Sequence, residues 1–258
     1  MDLNGVLMRD EENAVPGAEE FLAALRSAGI PFLVFTNESV HTPRDMRARL
    51  LERGLDVPEH TIWTSALATA RFLREQRPGG SAYVLGEAGL SAALLDAGYV
   101  LTGDDPDYVV LGETRTYSFE AITHAIRLIE GGARFIATNP DEKGPGAEGP
   151  LPATGAVAAL VQRVTEHEPY YIGKPNPLMM RSALRAVGAR SANAIVLGDR
   201  MDTDVRCGIE AGMRTILVLS GLSGPDAVAG HPYQPTAIVD SVADIIEHVR
   251  DPFGSGPA

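Results

Sequence analysis

An aspartate, Asp2, stands in the opening run Met1-Asp2-Leu3-Asn4-Gly5-Val6-Leu7. An acidic residue followed after one position by a short polar residue, then glycine and an apolar pair, is what a strand's carboxyl end looks like when it turns sharply into a loop with a reactive side chain. Asp2 is therefore a candidate nucleophile, although such turns also serve simply as helix caps. Three later stretches supply complementary groups: Val34-Phe35-Thr36-Asn37, Ile172-Gly173-Lys174-Pro175, and the run from Ile195 through Gly198-Asp199-Arg200 to Asp204. A carboxylate that attacks phosphorus needs a cation between itself and the negative phosphate. Asp199 and Asp204 can seat that cation with Asp2, since carboxylates gathered in one place repel unless a metal offsets them. Hard oxygen donors of this kind favour Mg²⁺. Lys174, held between a glycine and a proline, can aim its ammonium at a phosphoryl oxygen or at Asp2. It is not a Walker-loop lysine, because Glu168 stands where the loop's glycine belongs and Pro175 replaces its Ser or Thr. Thr36 and Asn37 would donate a hydroxyl, an amide and main-chain N–H groups to the same phosphoryl group. Each has a plainer alternative: an acidic helix-capping turn for 198–204, a solvated surface lysine for Lys174, strand-end capping for Thr36 and Asn37.

These groups converge only if the strands that carry them lie side by side, and the chain between them reads that way. Pro16-Gly17 introduces a helix with Phe21, Leu22 and Leu25 on one face, closed by Gly29. The unbroken apolar run Phe32-Leu33-Val34-Phe35 suits a strand buried on both faces of a parallel sheet. Thr42, Pro43 and Asp45 make a helix start, with Met46 and Leu50 inward and Gly54 at the end. A short strand at 62–63 and a helix over 64–76 follow, and Pro78-Gly79-Gly80 breaks the chain as a hinge would. From Ser81 the rhythm restarts as an inserted unit, placed at 81–168: strands at 83–85, 108–111 and 135–137, helices at 90–96, 119–129 and 156–164. The first rhythm resumes with strands at 170–172, 194–197 and 215–219 and helices at 178–187 and 204–211, before a closing pair at 238–249. The expected domains are thus 1–80 and 169–258 for one unit and 81–168 for the other. Alternation of this kind builds parallel sheets with right-handed crossovers, whose ligands lie beyond the strands' carboxyl ends. Only one residue precedes Asp2, which leaves either a strand missing from this numbering or a chain that begins late.

Composition narrows the function classes. A chain of 258 residues with 45% apolar and 22% charged residues can bury a sizeable core. A net charge of -12, with Lys and Arg nowhere clustered, argues against a nucleic-acid partner. No run is long enough to span a membrane and no secretory leader opens the chain, so a cytoplasmic protein is expected. The lone Cys207 suits a reducing compartment. Gly144, Gly146 and Gly149 have the spacing of a dinucleotide fingerprint, but Pro145, Pro150 and Pro152 keep a helix from opening there, and the stretch is read as a loop.

Taken together these residues resemble the haloacid dehalogenase superfamily, and within it the class IIA, NagD-like phosphatases. The likeness rests on Asp-Leu-Asn-Gly-Val-Leu, Thr36-Asn37, Gly86-Glu87-Ala88-Gly89, Gly112-Glu113-Thr114-Arg115, Ala137-Thr138-Asn139-Pro140-Asp141, Gly173-Lys174-Pro175 and Gly198-Asp199 with Thr203-Asp204. It implies a Rossmann-like core, a parallel sheet with helices on both faces, carrying an inserted α/β cap. It also implies Mg²⁺ and hydrolysis of small phosphomonoesters, such as nucleotide or sugar phosphates and 4-nitrophenyl phosphate, through an aspartyl-phosphate. On that likeness Asp2 is nucleophile and metal ligand, Asn4 offers its carbonyl to the metal, and Asp199 with Asp204 completes the metal site. Thr36 and Asn37 bind phosphate, and Lys174 balances charge. Arg115, Asn139, Asp141 and Asn176 are the expected substrate contacts, and association of two copies through the cap is favoured.

One departure bears on rate. Family phosphatases carry Asp at position 4, where it protonates the leaving group and then activates water; here it is Asn4, which can hydrogen-bond but cannot shuttle a proton. Glu38 adds a carboxylate beside the expected phosphate site. Two readings follow, a Mg²⁺-dependent phosphatase slowed by Asn4 and a catalytically inactive relative that binds phosphorylated metabolites. Dehalogenase chemistry also uses an Asp nucleophile, but it needs no metal, and Asp199 and Asp204 speak against it.

Overall fold

Strand and helix alternate from end to end of the computed structural model, which describes residues 1–10, 12–144 and 149–251. In chain order the elements begin with α1 (Ala18–Ser27), β1 (Val34–Thr36), α2 (Pro43–Leu51), β2 (Ile62–Thr64) and α3 (Ser65–Gln76). Next come β3 (Ser81–Leu85), α4 (Ala88–Asp96), β4 (Val100–Leu101), β5 (Tyr108–Leu111), α5 (Phe119–Glu130) and β6 (Arg134–Ala137). Then follow β7 (Lys143–Gly144), β8 (Leu151–Pro152), α6 (Thr154–Thr165), β9 (Tyr170–Tyr171) and α7 (Pro177–Ala186). The chain continues with β10 (Ile195–Gly198), α8 (Arg206–Glu210), β11 (Arg214–Val218), β12 (Ala237–Val239) and α9 (Ile246–Arg250). Two units result, one from Met1–Thr36, Arg44–Trp63 and the chain from Met180 onward, the other from Asn37–Pro43 and Thr64–Met179.

In the first unit β10, β11 and β12 run parallel, with Ile195 opposite Arg214 and Ile216 opposite Ala237. β1 pairs with β2. Met1 and Asp2 lie between these two groups: Asp2 N–H donates to Leu197 O at 2.8 Å, Phe35 N–H donates to Met1 O at 2.9 Å, and the Met1 amine donates to Leu33 O at 2.8 Å. A parallel bridge joins Asp2 to Phe35. This pairing brings Asp2, Thr36 and the turn after Gly198 to one carboxyl edge. Beneath that edge lie Val6, Leu7, Phe21, Leu22, Val34, Leu55, Ile62, Val218 and Val242. Phe21, Leu22 and Leu25 share a helical face as their spacing demands, and each such side chain contributes about 1.5–3 kcal/mol when removed from water.

The second unit is a five-stranded parallel sheet in the order β4-β3-β5-β6-β9. Central β5 is buried at all four positions, the mark of a strand covered on both faces. α5 and α6 supply Ile122, Ala125, Ile129, Val157, Ala158 and Val161 to its core. The strand ends stay in step: Gly112 N–H donates to Leu85 O at 2.7 Å, Thr138 N–H to Leu111 O at 2.8 Å, and Gly173 N–H to Thr138 O at 2.7 Å. The segment Asn37–Pro43 packs here through Gly89 N–H to Val40 O at 2.8 Å and Glu113 N–H to Ser39 Oγ at 2.9 Å.

The structure differs from the sequence reading at four places. Tyr170 and Tyr171, expected to resume the first rhythm, pair with Ile136 and Ala137 at the edge of the second unit's sheet. α3, placed with the first unit in the sequence reading, belongs to the second. The helix expected from Asp204 opens instead as a widened turn over Met201–Val205, in which Val205 N–H reaches back five residues to Arg200 O at 3.1 Å before α8 begins. In the glycine-rich stretch Lys143 and Gly144 pair antiparallel with Pro152 and Leu151, while Gly146 lies outside the described residues.

Candidate active site

Asp2, Asp199 and Asp204 are all buried in the first unit, and one carboxylate oxygen from each lies within 4.8 Å of the others. Each carboxylate is anchored by a main-chain N–H. Leu3 N–H donates to Asp2 Oδ1 at 2.8 Å, Leu222 N–H to Asp199 Oδ2 at 2.7 Å, and Arg200 N–H to Asp204 Oδ2 at 3.2 Å. Two unit charges about 4 Å apart repel by about 4 kcal/mol at an effective dielectric of about 20. A hydrogen bond to a charged oxygen returns about 1.5–3 kcal/mol, less than one such repulsion. A set of buried, all-oxygen, anionic donors with this spacing fits a hard divalent cation. The Asp204 contact also reconciles two readings of 198–204: the side chain bonds the turn's own backbone while its carboxylate joins the cluster.

Local backbone explains the aim. Gly5 has φ +75°, a left-handed conformation, and a Cβ there would fall 2.4 Å from Asp199 Cγ. Gly198 is held in the same way, since its Cβ would fall 2.1 Å from Asp204 Cβ. Asn4 is exposed on the loop between Asp2 and Gly5, and its backbone bridges Met8. Thr36, 2% exposed, directly follows the residue that bridges Asp2.

In the second unit Asn37, Lys174, Asn139 and Asp141 form one network. Asn37 Nδ2 donates to Asp141 Oδ2 at 2.8 Å and to Lys174 O at 3.1 Å, and its Oδ1 accepts Lys174 N–H at 2.8 Å. Asn139 Nδ2 donates to Asn37 O at 2.9 Å, and Asp141 N–H to Asn139 Oδ1 at 3.1 Å. The sequence reading had Asn37 offering its amide to phosphate. Both ends of that amide are engaged within the unit, so what Asn37 can offer an anion is its main-chain N–H. Lys174 is buried, at 4% exposure, rather than a solvated surface lysine. Asn176 bridges Tyr171 O at 2.7 Å and Leu178 N–H at 2.9 Å, which makes it the cap of α7. Arg115 is exposed.

Two features of the sites had no place in the sequence reading. Leu222 holds Asp199 through its main chain, and Ser220 Oγ donates to Gly5 O at 2.6 Å. The available signal was positional, a Ser-Gly pair just past the buried end of a parallel strand. The second is the ionisation of Glu113, a residue quoted above only as part of a motif: its carboxyl is pushed above its ordinary 4.5 by burial first and by the Glu38 charge second, with Arg115 opposing. Glu38 itself accepts His41 N–H at 2.6 Å. A carboxyl raised on folding contributes stability below its unfolded value and loses it as pH rises through the folded one. Ionised Glu113 therefore costs stability at neutral pH. Glu113→Gln is expected to raise the Tm at pH 7 and to remove the loss of stability that ionising Glu113 brings as pH rises above its ordinary 4.5; a Tm difference from the parent that does not change with pH would refute that role.

Comparison with known proteins bears on the same residues. A haloacid dehalogenase-like hydrolase model matches residues 1–100, and a HAD-hydrolase-like model matches 171–245. The dihydroxyacetone phosphatase of Corynebacterium glutamicum (strain R) is 56% identical over 255 residues, 99% of this chain and 92% of that protein. The structure of NagD from Escherichia coli K-12 superposes with a TM-score of 0.90 at 43% identity, covering 95% of this chain and 96% of that one. A p-nitrophenyl phosphatase from Archaeoglobus fulgidus gives a TM-score of 0.90 at 33% identity, with the same coverage.

Proposed function

The chain belongs to the haloacid dehalogenase superfamily as a NagD-like phosphatase, and from that membership we propose that it hydrolyses small phosphomonoesters on Asp2, with Mg²⁺ seated by Asp2, Asp199 and Asp204. The observation that carries this reading is the buried acidic cluster. An Asp2 carboxylate oxygen attacks phosphorus, the P–O bond to the alcohol breaks, and water then cleaves the aspartyl-phosphate to phosphate and free Asp2. When bound, the cation offsets the repulsion between the attacking carboxylate and the substrate's negative oxygens. Asn4 would give it a main-chain carbonyl. Thr36 would donate its hydroxyl and Asn37 its main-chain N–H to the phosphoryl oxygens, with Lys174 as the balancing charge. Arg115 and Asp141 are proposed to shape the substrate's far end, while Asn139, buried with both ends of its amide engaged, braces Asn37 and Asp141 rather than touching substrate as expected from the sequence. Asn176, in this reading, caps α7 and ties it to Tyr171 rather than touching substrate. Dihydroxyacetone phosphate and nucleoside monophosphates, suggested by the relatives' names, are the first substrates to assay beside 4-nitrophenyl phosphate.

Asn4 favours a second reading, in which a phosphorylated metabolite is bound and not turned over. Cytoplasmic residence and pairing of two copies through the cap belong to the proposal as well. Among the described residues no helix is long and apolar enough to cross a membrane, and Cys207 is a buried free thiol.

The test is metal removal. Stripping with EDTA is expected to abolish hydrolysis of 4-nitrophenyl phosphate, and Mg²⁺ to restore it in a saturable manner. Undiminished turnover by the stripped protein would rule the reading out.

A further inference from the structure

We propose that the turn at residues 220–223 is the positioning element that aims Asp199 and thereby sets the acidic cluster's affinity for a divalent cation; this rests on reading that cluster as a cation seat. Asp2 accepts a main-chain N–H from the next residue and Asp204 one from four residues back. Asp199 is reached from a segment 23 residues away, whose Leu222 N–H donates to Oδ2 at 2.7 Å. Ser223 N–H donates to the Asp199 carbonyl at 3.2 Å, so main chain and side chain of one residue are gripped by the same turn.

Gly221 lets the turn come that close. A Cβ there would fall 2.1 Å from Asp199 Oδ2 and 2.5 Å from Asp199 Cβ and Cγ. The clash is with the root of the side chain as well as its tip, so rotating the carboxylate cannot relieve it. Gly5 approaches the same side chain, with its Cβ position 2.4 Å from Asp199 Cγ and Oδ2. Ser220 Oγ donates to Gly5 O at 2.6 Å and ties the two glycine turns together. The Asp199 carboxylate is therefore closely packed against two glycine turns. With one oxygen fixed by Leu222, rotation about the Cβ–Cγ bond stops and the direction of the other oxygen is set. Partners that orient a ligand in this way typically change metal affinity by about 10–100-fold when altered.

The experiment titrates Mn²⁺ into metal-free protein and follows free Mn²⁺ by electron paramagnetic resonance, with the metal-free Tm measured alongside. Gly221→Ala is expected to weaken Mn²⁺ binding about 10–100-fold. Ser220→Ala, which removes one hydroxyl and should fold whether or not Gly221→Ala does, is expected to weaken it several-fold, and Ser220→Thr to restore it. A purely structural turn would lower the metal-free Tm while leaving Mn²⁺ affinity at the parent value. That result in a folded Gly221→Ala protein, or in Ser220→Ala, would overturn the proposal. Asp199→Asn separates the two ideas. If it leaves Mn²⁺ affinity unchanged, the cation-seat reading fails; if it weakens binding while the turn variants do not, only the positioning role fails.

Discussion

Asn4→Asp is expected to raise turnover of phosphomonoesters by about 10²–10⁴-fold, the scale on which a positioned acid–base group acts. The substitution exchanges an amide for a carboxyl of nearly the same shape at an exposed loop position, so packing changes little. The backbone bridge from Asn4 to Met8 does not involve the altered atoms. What is gained is a proton donor for the departing alcohol and, in the second half-reaction, an acceptor for the proton of the attacking water. The gain should therefore depend on the leaving group. 4-Nitrophenolate departs with little help, so its gain reports mainly on water attack, whereas a sugar or glycerol-type alkoxide needs protonation and should gain more. Steady-state kcat for both classes, in parent and variant, checks this. Equal rates would remove the acid–base role assigned to position 4.

The second large effect is at Asp2. In the faster Asn4→Asp background, Asp2→Asn is expected to reduce kcat by at least about 10⁴-fold, since loss of a covalent nucleophile removes the reaction's first step. Stability should move the other way in chelator. Asp2 is buried beside Asp199 and Asp204 with ligand oxygens within 4.8 Å, and making one of three mutually repelling groups neutral relieves repulsion of several kcal/mol at most. The variant should thus be inactive yet melt higher than its parent in EDTA, with the order narrowing or reversing in excess Mg²⁺. A variant destabilised in EDTA would mean that the cluster is not repulsive and needs no cation.

Polar side chains that end buried strands are legible in a sequence. Thr36 and Asp199 stand at or just past the ends of apolar runs, Val34-Phe35 and Val196-Leu197, that the structure buries and pairs, and hydrophobic continuity is what a sequence displays best; Asp2 and Asp204 have no such run directly before them. Tyr108–Leu111 is a clear instance, apolar throughout and buried throughout. Contributions made through the main chain were not readable: Leu222 acts through an N–H that every non-proline residue possesses. Asn37 and Asn176 show a related difficulty, because a polar side chain at a strand end can serve a ligand or the backbone with equal chemical ease. The partners that decide it, Asp141 and Lys174 for Asn37 and Tyr171 and Leu178 for Asn176, become visible only in three dimensions. Two-residue strands such as β4 and β9 have no period to detect, which is why the first was not foreseen and the second was grouped with the wrong neighbours.

Covalent capture addresses the chemistry most directly. Parent and Asp2→Asn proteins are mixed with 4-nitrophenyl phosphate and Mg²⁺, quenched in acid within the first turnovers, digested and mapped by mass spectrometry. The expected result is one phosphoryl group on the amino-terminal peptide of the parent, accumulating because Asn4 slows its release, and none on the variant. Sustained phosphate release by the Asp2→Asn protein at the parent rate, with no acyl-phosphate on the parent's Asp2, would contradict it.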